Sequence, residues 1–137
     1  MQYALLIYTK PGTYDSLSAA EREALSLEYY ALRDEPGMLG GAALQPVTTA
    51  TTIRLADGKP LVTDGPFAEA KEVLGGYWMI DVASRDEAIA WAKRCPASEN
   101  EIIEIRQVQE MSDFSDEVQH AARGFEELQK ASAHKAR

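Results

Sequence analysis

Cysteine is nearly absent from this 137-residue chain. The single residue, Cys95, excludes an internal disulfide and fits a reducing cytoplasm. No apolar run reaches the roughly 20 residues that a helix needs to cross a bilayer. Met1 is followed by a strand-like run without the basic segment that begins a signal peptide. These absences predict a cytoplasmic protein that does not associate with membranes.

Basic residues and histidines are also scarce. The chain has 14 Lys and Arg against 22 Asp and Glu, a net charge of −8, which argues against direct nucleic-acid binding. His120 and His134 are the two histidines, and both follow residue 110, so the core lacks a histidine for Ser-His-Asp chemistry or for activating Cys95. No spacing of His, Cys and carboxylates indicates a metal site, and Gly75-Gly76 lacks the context of a phosphate loop. We therefore expect no metal and no cofactor.

Four segments are predicted to be strands, at residues 2–8, 39–46, 75–83 and 101–108. In the first and third, apolar residues occupy both faces, so both faces of the sheet should be covered. Helices can cover one face. A second subunit or a closed pocket must then cover the other.

Two helices are predicted by capping-box spacing, one beginning at Ser18 with Glu21 and one at Ser84 with Glu87. Their predicted inward residues are Ala24, Leu25, Tyr29 and Leu32 in the first, and Ala88, Ile89, Ala92 and Cys95 in the second.

A β-hairpin is predicted over residues 51–63, because Asp57-Gly58 separates two alternating runs and favours a two-residue turn. This register pairs Ile53 with Val62 and Leu55 with Pro60 on one shared face. Arg54 then lies on the opposite face.

The element order indicates an α+β protein with a ferredoxin-like antiparallel sheet and helices on one face. Residues 1–110 form the predicted domain, and residues 111–137 form a C-terminal helical extension with an apolar stripe from Val118 to Leu128. The uncovered apolar sheet face predicts a homodimer, and hence a dimeric α/β barrel.

The segment TDGPFAEAKEVLGGY resembles the signature of the YCII-related, DGPF-type domain family. The matching residues are Asp64-Gly65-Pro66-Phe67, Glu69, Lys71-Glu72, Leu74 and Gly75-Gly76-Tyr77. The beginning MQYALLIY, the LQP at 44–46 and the closing IEIRQV are similar to the family as well.

The resemblance implies a dimeric ferredoxin-like α/β barrel with a cleft in each subunit. It also implies association with an extracytoplasmic-function sigma factor, because many members accompany such factors by gene neighbourhood or fusion. Acid–base chemistry by a His and an Asp is implied for the wider YCII group, but this chain has no histidine before residue 120.

Asp64 has two interpretations. As a turn residue, its side chain would satisfy nearby backbone N–H groups in an Asx-turn. As a functional group, it would be a general base or a substrate anchor at the rim of the cleft. Phe67 and Leu74 are expected to be buried anchors on either side of Lys71 and Glu72. The full set of candidate ligand-binding residues is Tyr8, Arg54, Gly65, Pro66, Phe67, Lys71, Glu72, Tyr77 and Trp78.

Two hypotheses for function therefore remain open. One is a small-molecule-binding or regulatory dimer that acts as a sigma-factor accessory. The other is a small cofactor-free enzyme in which Asp64 works with a tyrosine or Lys71 by carboxylate acid–base chemistry.

Overall fold

The computed structural model describes residues 1–97, 99–125 and 127–128. The strands are β1 (Gln2–Thr9), β2 (Met38–Ala43), β3 (Thr51–Ala56), β4 (Lys59–Asp64), β5 (Val73–Asp81) and β6 (Glu101–Gln107). The α-helices are α1 (Ala19–Ala31), α2 (Arg85–Ala92) and α3 (Asp116–Ala121). Single 3₁₀ turns occupy Leu32–Asp34, Val47–Thr49 and Met111–Asp113.

Four strands form one antiparallel sheet in the order β2-β5-β1-β6. β1 and β2 are joined through α1, and β5 and β6 through α2, so each pair of parallel strands encloses an antiparallel neighbour. This is the ferredoxin-like α+β arrangement, and the predicted fold class is confirmed. No helix in the described part of the chain is long and apolar enough to cross a membrane.

Side-chain alternation along the central strand β1 gives the sheet two different faces. Tyr3, Leu5 and Ile7 are buried, whereas Leu6 and Tyr8 on the opposite face are half-buried. Trp78 and Ile80 of β5 continue the buried face. The described residues thus cover one face of the sheet with helices and leave the other open.

Trp91 is the residue that the sequence interpretation missed in the core. It is 1% exposed, and its indole Nε1 donates a hydrogen bond to the Pro36 carbonyl oxygen at 3.2 Å. It lies three residues after Ala88, on the buried face of α2, beside the correctly predicted Cys95. A tryptophan with its N–H satisfied is a large contribution to a small core.

Helix capping follows the predicted spacing with one difference. Ser18 forms a complete capping box with Glu21. Ser84 accepts a hydrogen bond from the Glu87 N–H, but the Glu87 carboxylate accepts from the Ala83 N–H and not from Ser84. The second cap therefore also satisfies two backbone N–H groups, but one of them belongs to Ala83, the residue before the N-cap, and not to Ser84 itself.

The hairpin has the predicted register, with Ile53 opposite Val62 and Leu55 opposite Pro60. Asp57 and Gly58 have φ of 51° and 75°, the left-handed values that this turn requires. β3 and β4 form a separate two-stranded sheet, and their apolar face is exposed.

The C-terminal extension is less continuous than predicted. α3 ends at Ala121, and Gly124 follows in a turn with φ of 86°, so the stripe from Val118 to Leu128 does not lie on one uninterrupted helix. A glycine at positive φ ends a helix readily because it has no Cβ. His134 lies outside the described residues.

Candidate functional site: a cavity between α1 and the sheet

Helix α1 does not pack tightly on the sheet. None of its 13 residues, all of which the structure describes, is fully buried. Five of its residues, with helical spacing, face the sheet side: Leu25 and Tyr29 are half-buried, and Arg22, Ser26 and Tyr30 are exposed. These residues line a cavity of about 310 Å³ between the helix and the sheet. Leu25 and Tyr29, predicted to face inward, therefore face this cavity, whereas Ala24 is exposed.

The cavity lies at the end of the sheet where β1 and β2 finish and β5 and β6 begin. The sheet contributes Ile7, Thr9, Ala42, Ala43, Gly75, Gly76, Tyr77, Trp78 and Glu101 to its lining, with Leu44 just beyond β2 and Tyr14 from the loop after β1. Most of these groups are apolar or aromatic, and the volume suits a small organic ligand.

A buried carboxylate marks the polar end of the cavity. Glu101 is 8% exposed, and its Oε1 accepts hydrogen bonds from the hydroxyls of Tyr14 and Tyr29, the latter at 3.2 Å. Glu101 opens β6 opposite Thr9, while Tyr14 and Tyr29 come from the β1–α1 loop and from α1. Three separate elements thus converge on one carboxylate group.

This environment raises the pKa of both phenols. Burial raises the pKa of Tyr14 well above its ordinary 10.0, and the hydrogen bond and charge of Glu101 raise it further. Burial, followed by the charge of Glu101, raises the pKa of Tyr29 as well. Like any tyrosine, both are neutral hydrogen-bond donors at neutral pH, and the raised pKa values extend this state into alkaline solution.

Trp78 lines the cavity, and the N–H of its indole is buried without a hydrogen-bond acceptor among the described residues. The residue is 7% exposed. The six-membered edge of the ring lies against Gly41 on β2, where any Cβ would overlap it. Tyr30 packs edge-on against this indole, with ring centroids 6.1 Å apart.

Of the candidate site residues predicted from the sequence, two are among the described residues of the cavity lining, Tyr77 and Trp78. Tyr8 alternates with the lining residue Ile7 and so lies toward the open face of the sheet. The enzyme hypothesis placed its chemistry at Asp64, whereas the buried carboxylate that the cavity contains belongs to Glu101.

The DGPF turn and Arg54 lie together at the base of the hairpin. Gly65 donates its N–H to the Ala50 carbonyl at 2.6 Å and has φ of 91°, which favours glycine. Thr52 donates its hydroxyl to the Gly65 carbonyl at 2.8 Å, and Arg54 Nη2 donates to the Phe67 carbonyl at 2.9 Å. These bonds clamp the segment after β4 onto β3.

Two expectations about this segment are wrong. Phe67 is 75% exposed and Leu74 is 39% exposed, so neither is a buried anchor. The carboxylate of Asp64 is exposed and accepts no hydrogen bond within the described part of the chain, so the expected Asx-turn is not formed. Its place in the turn is secured by backbone pairing with Thr51. Pro66 and Lys71 are exposed, and Glu72 is half-buried.

Glu101, Tyr14, Tyr29 and Arg22 are the functional candidates that sequence reasoning missed. A signal was present in the last strand, where Glu101 shares its face with the half-buried Ile103 and Ile105. An acidic residue at an inward-facing position is unusual unless it is paired or functional. The sequence could not show which hydroxyls would reach it.

The fold and the cavity together define a ferredoxin-like domain with an open pocket between its first helix and its sheet. A family model for the YCII-related domain matches residues 1–112, and the chain belongs to this family. An uncharacterised protein of Rhizobium meliloti (strain 1021) is 41% identical over 97 residues, which cover 68% of this chain and 78% of that protein.

Proposed function

We propose that the protein is a small-molecule-binding domain whose ligand occupies the cavity between α1 and the sheet. The observation that carries this proposal is that α1, none of whose residues is fully buried, lines a cavity of about 310 Å³ where a core helix would bury its side chains. An open pocket with a mainly apolar and aromatic lining is the usual form of a small-molecule site. The converging hydroxyls on Glu101 supply the few polar groups that orient a ligand.

The proposal includes a homodimer. The open face of the sheet carries the apolar side chains of Leu6, Tyr8 and Met79, and it has no helix over it in the described residues. A sheet face of this composition is stabilised by a second subunit. Association with a sigma factor remains a prediction from the resemblance, since neither the family description nor the relative's name refers to one.

The two tryptophans make a direct test. Trp78 lines the cavity, whereas Trp91 is in the core with its N–H already bonded to Pro36. In a screen of small organic compounds by ¹⁵N NMR, a ligand of the cavity should shift the indole N–H signal of Trp78 and leave that of Trp91 nearly unchanged.

A matched pair of variants on α1 identifies the site. Ser26 is an exposed residue at the cavity, and Ala24 is an exposed residue of the same helix that is not among its described lining residues. Ser26→Phe should obstruct the cavity and abolish binding, while Ala24→Phe should retain it. Full affinity in Ser26→Phe, or a screen in which no compound shifts Trp78, would overturn the proposal.

A further inference from the structure

The cavity combines one buried acidic group with several aromatic rings. Glu101 is the acid, and Tyr14, Tyr29, Tyr30 and Trp78 provide the rings from β5, α1 and the β1–α1 loop. Ring faces carry partial negative charge, so a cation among them is attracted both by the rings and by a nearby carboxylate. This combination is the one that proteins use to bind organic ammonium groups.

We propose, on the basis that the cavity is the ligand site, that its ligand is an organic cation, an amine or a quaternary ammonium compound. The ammonium group lies at the Glu101 end, and its carbon substituents contact the aromatic and apolar lining.

The charge of the whole protein supports a cation over an anion. The net charge of −8 attracts cations to the surface and repels anions. The described cavity lining has one basic residue, Arg22, and its side chain is exposed on α1, whereas Glu101 is buried. An exposed guanidinium is screened by water and salt, so its attraction for an anion is weaker than the effect of a buried carboxylate.

Choline and 3,3-dimethyl-1-butanol form the primary probe pair, since they have nearly the same shape and differ by one positive charge. Phenyltrimethylammonium and benzoate add a cation and an anion with an aromatic ring. Each is titrated into the full chain while the Trp78 and Trp91 indole signals are followed. We expect the two cations to shift Trp78 and to bind at least about 10-fold more tightly than choline's neutral analogue and than benzoate.

Variants on β6 separate the buried charge from charge in general. Glu101→Gln keeps an acceptor for the two tyrosines and removes the charge, and it should weaken cation binding about 10- to 100-fold. Glu104→Gln removes a charge from the same strand at a position opposite Leu6, on the open face, and should leave binding unchanged. If Glu101→Gln does not fold, Tyr30→Leu takes its place and should weaken cation binding about 2- to 30-fold.

The outcomes distinguish this proposal from the broader one. If the neutral or anionic compound binds as tightly as its cationic counterpart, or if Glu101→Gln binds cations with full affinity, the Glu101 charge does not select a cation and the proposal of a cationic ligand is wrong. The cavity then remains a ligand site provided that some compound shifts Trp78. If no compound of this panel or of the wider screen shifts Trp78, both proposals are wrong.

Discussion

The hydroxyl of Tyr29 on α1 donates a hydrogen bond of 3.2 Å to the carboxylate of Glu101, which lies 72 residues further along the chain at the start of β6. This bond spans the cavity region between the helix and the sheet. It links α1, none of whose residues is fully buried, to the strand that carries a buried acid.

Removing this donor should destabilise the fold. Tyr29→Phe leaves a buried carboxylate with one hydrogen bond fewer, which we expect to cost about 1–3 kcal/mol in the free energy of unfolding. Tyr30→Phe is the matched control, because Tyr30 is 52% exposed and its hydroxyl has no hydrogen bond among the described residues; its effect should stay within about 0.5 kcal/mol. Urea unfolding measures both, and equal losses would contradict the role of the Tyr29 hydroxyl.

Stability should fall in alkaline solution. The pKa of Cys95 is raised by burial from 9.0 to about 11, and the pKa values of Tyr14 and Tyr29 are raised above 10.0 by burial and by Glu101. The unfolded chain therefore loses these protons at lower pH than the folded chain, so the stabilisation is complete below about pH 9 and is lost as the pH rises beyond it.

The urea midpoint followed from pH 7 to pH 11 measures this loss. In Cys95→Ala, the urea midpoint should fall less steeply between about pH 9 and 11, because the thiol no longer contributes. This holds whatever the change in absolute stability. A wild-type midpoint that stays constant over this whole range would show that the three groups titrate alike in the folded and unfolded chains.

The adjacent glycines of the Gly75-Gly76 pair should respond differently to alanine. A Cβ at Gly76 would lie 2.8 Å from the Ala42 carbonyl oxygen of β2, whereas one at Gly75 would meet Thr9 at an ordinary 3.5 Å. We expect Gly76→Ala to cost about 1–3 kcal/mol and Gly75→Ala less than about 1 kcal/mol. Thermal or urea unfolding measures the stability of both variants. Equal losses would show that the close approach of Gly76 to the Ala42 carbonyl oxygen does not determine the cost.

Asp64→Asn should be nearly neutral. The carboxylate is exposed and accepts no hydrogen bond from the described residues, and Asn tolerates the same turn. We expect a change within about 0.5 kcal/mol in unfolding free energy and no change in the affinity of a ligand that shifts Trp78. If Asp64→Asn folds normally but loses ligand binding, the ligand site lies at the base of the hairpin and not in the cavity.

The open sheet face should form a dimer interface that buries well over ~1,000 Å² in total. Leu6→Glu places a charge in the middle of this face and should yield a monomer by light scattering. Leu27→Glu is its control, because Leu27 is 67% exposed on α1, away from that face. A monomeric wild-type protein at micromolar concentration would refute the dimer.

The sequence determined the regular elements because their signals are local. Alternation along β1 and β5 specifies which residues are buried, and Ser18 with Glu21 specifies where α1 begins. The hairpin register follows from the preference of Asp57-Gly58 for positive φ. Each of these preferences depends on neighbours within a few residues, so they can be derived before the chain is folded.

Only the tertiary structure decided where a ligand site could form. Helical periodicity shows that Tyr29 faces inward, but whether it meets a tight core or a cavity depends on how far α1 lies from the sheet. The convergence on Glu101 joins residues that are 87 and 72 positions apart in the chain, and no local preference encodes such distances. For the same reason the DGPF motif predicted a site at a turn whose Phe67 is exposed. The buried carboxylate of Glu101 had only one signal in the sequence, an acidic residue on an otherwise apolar strand face.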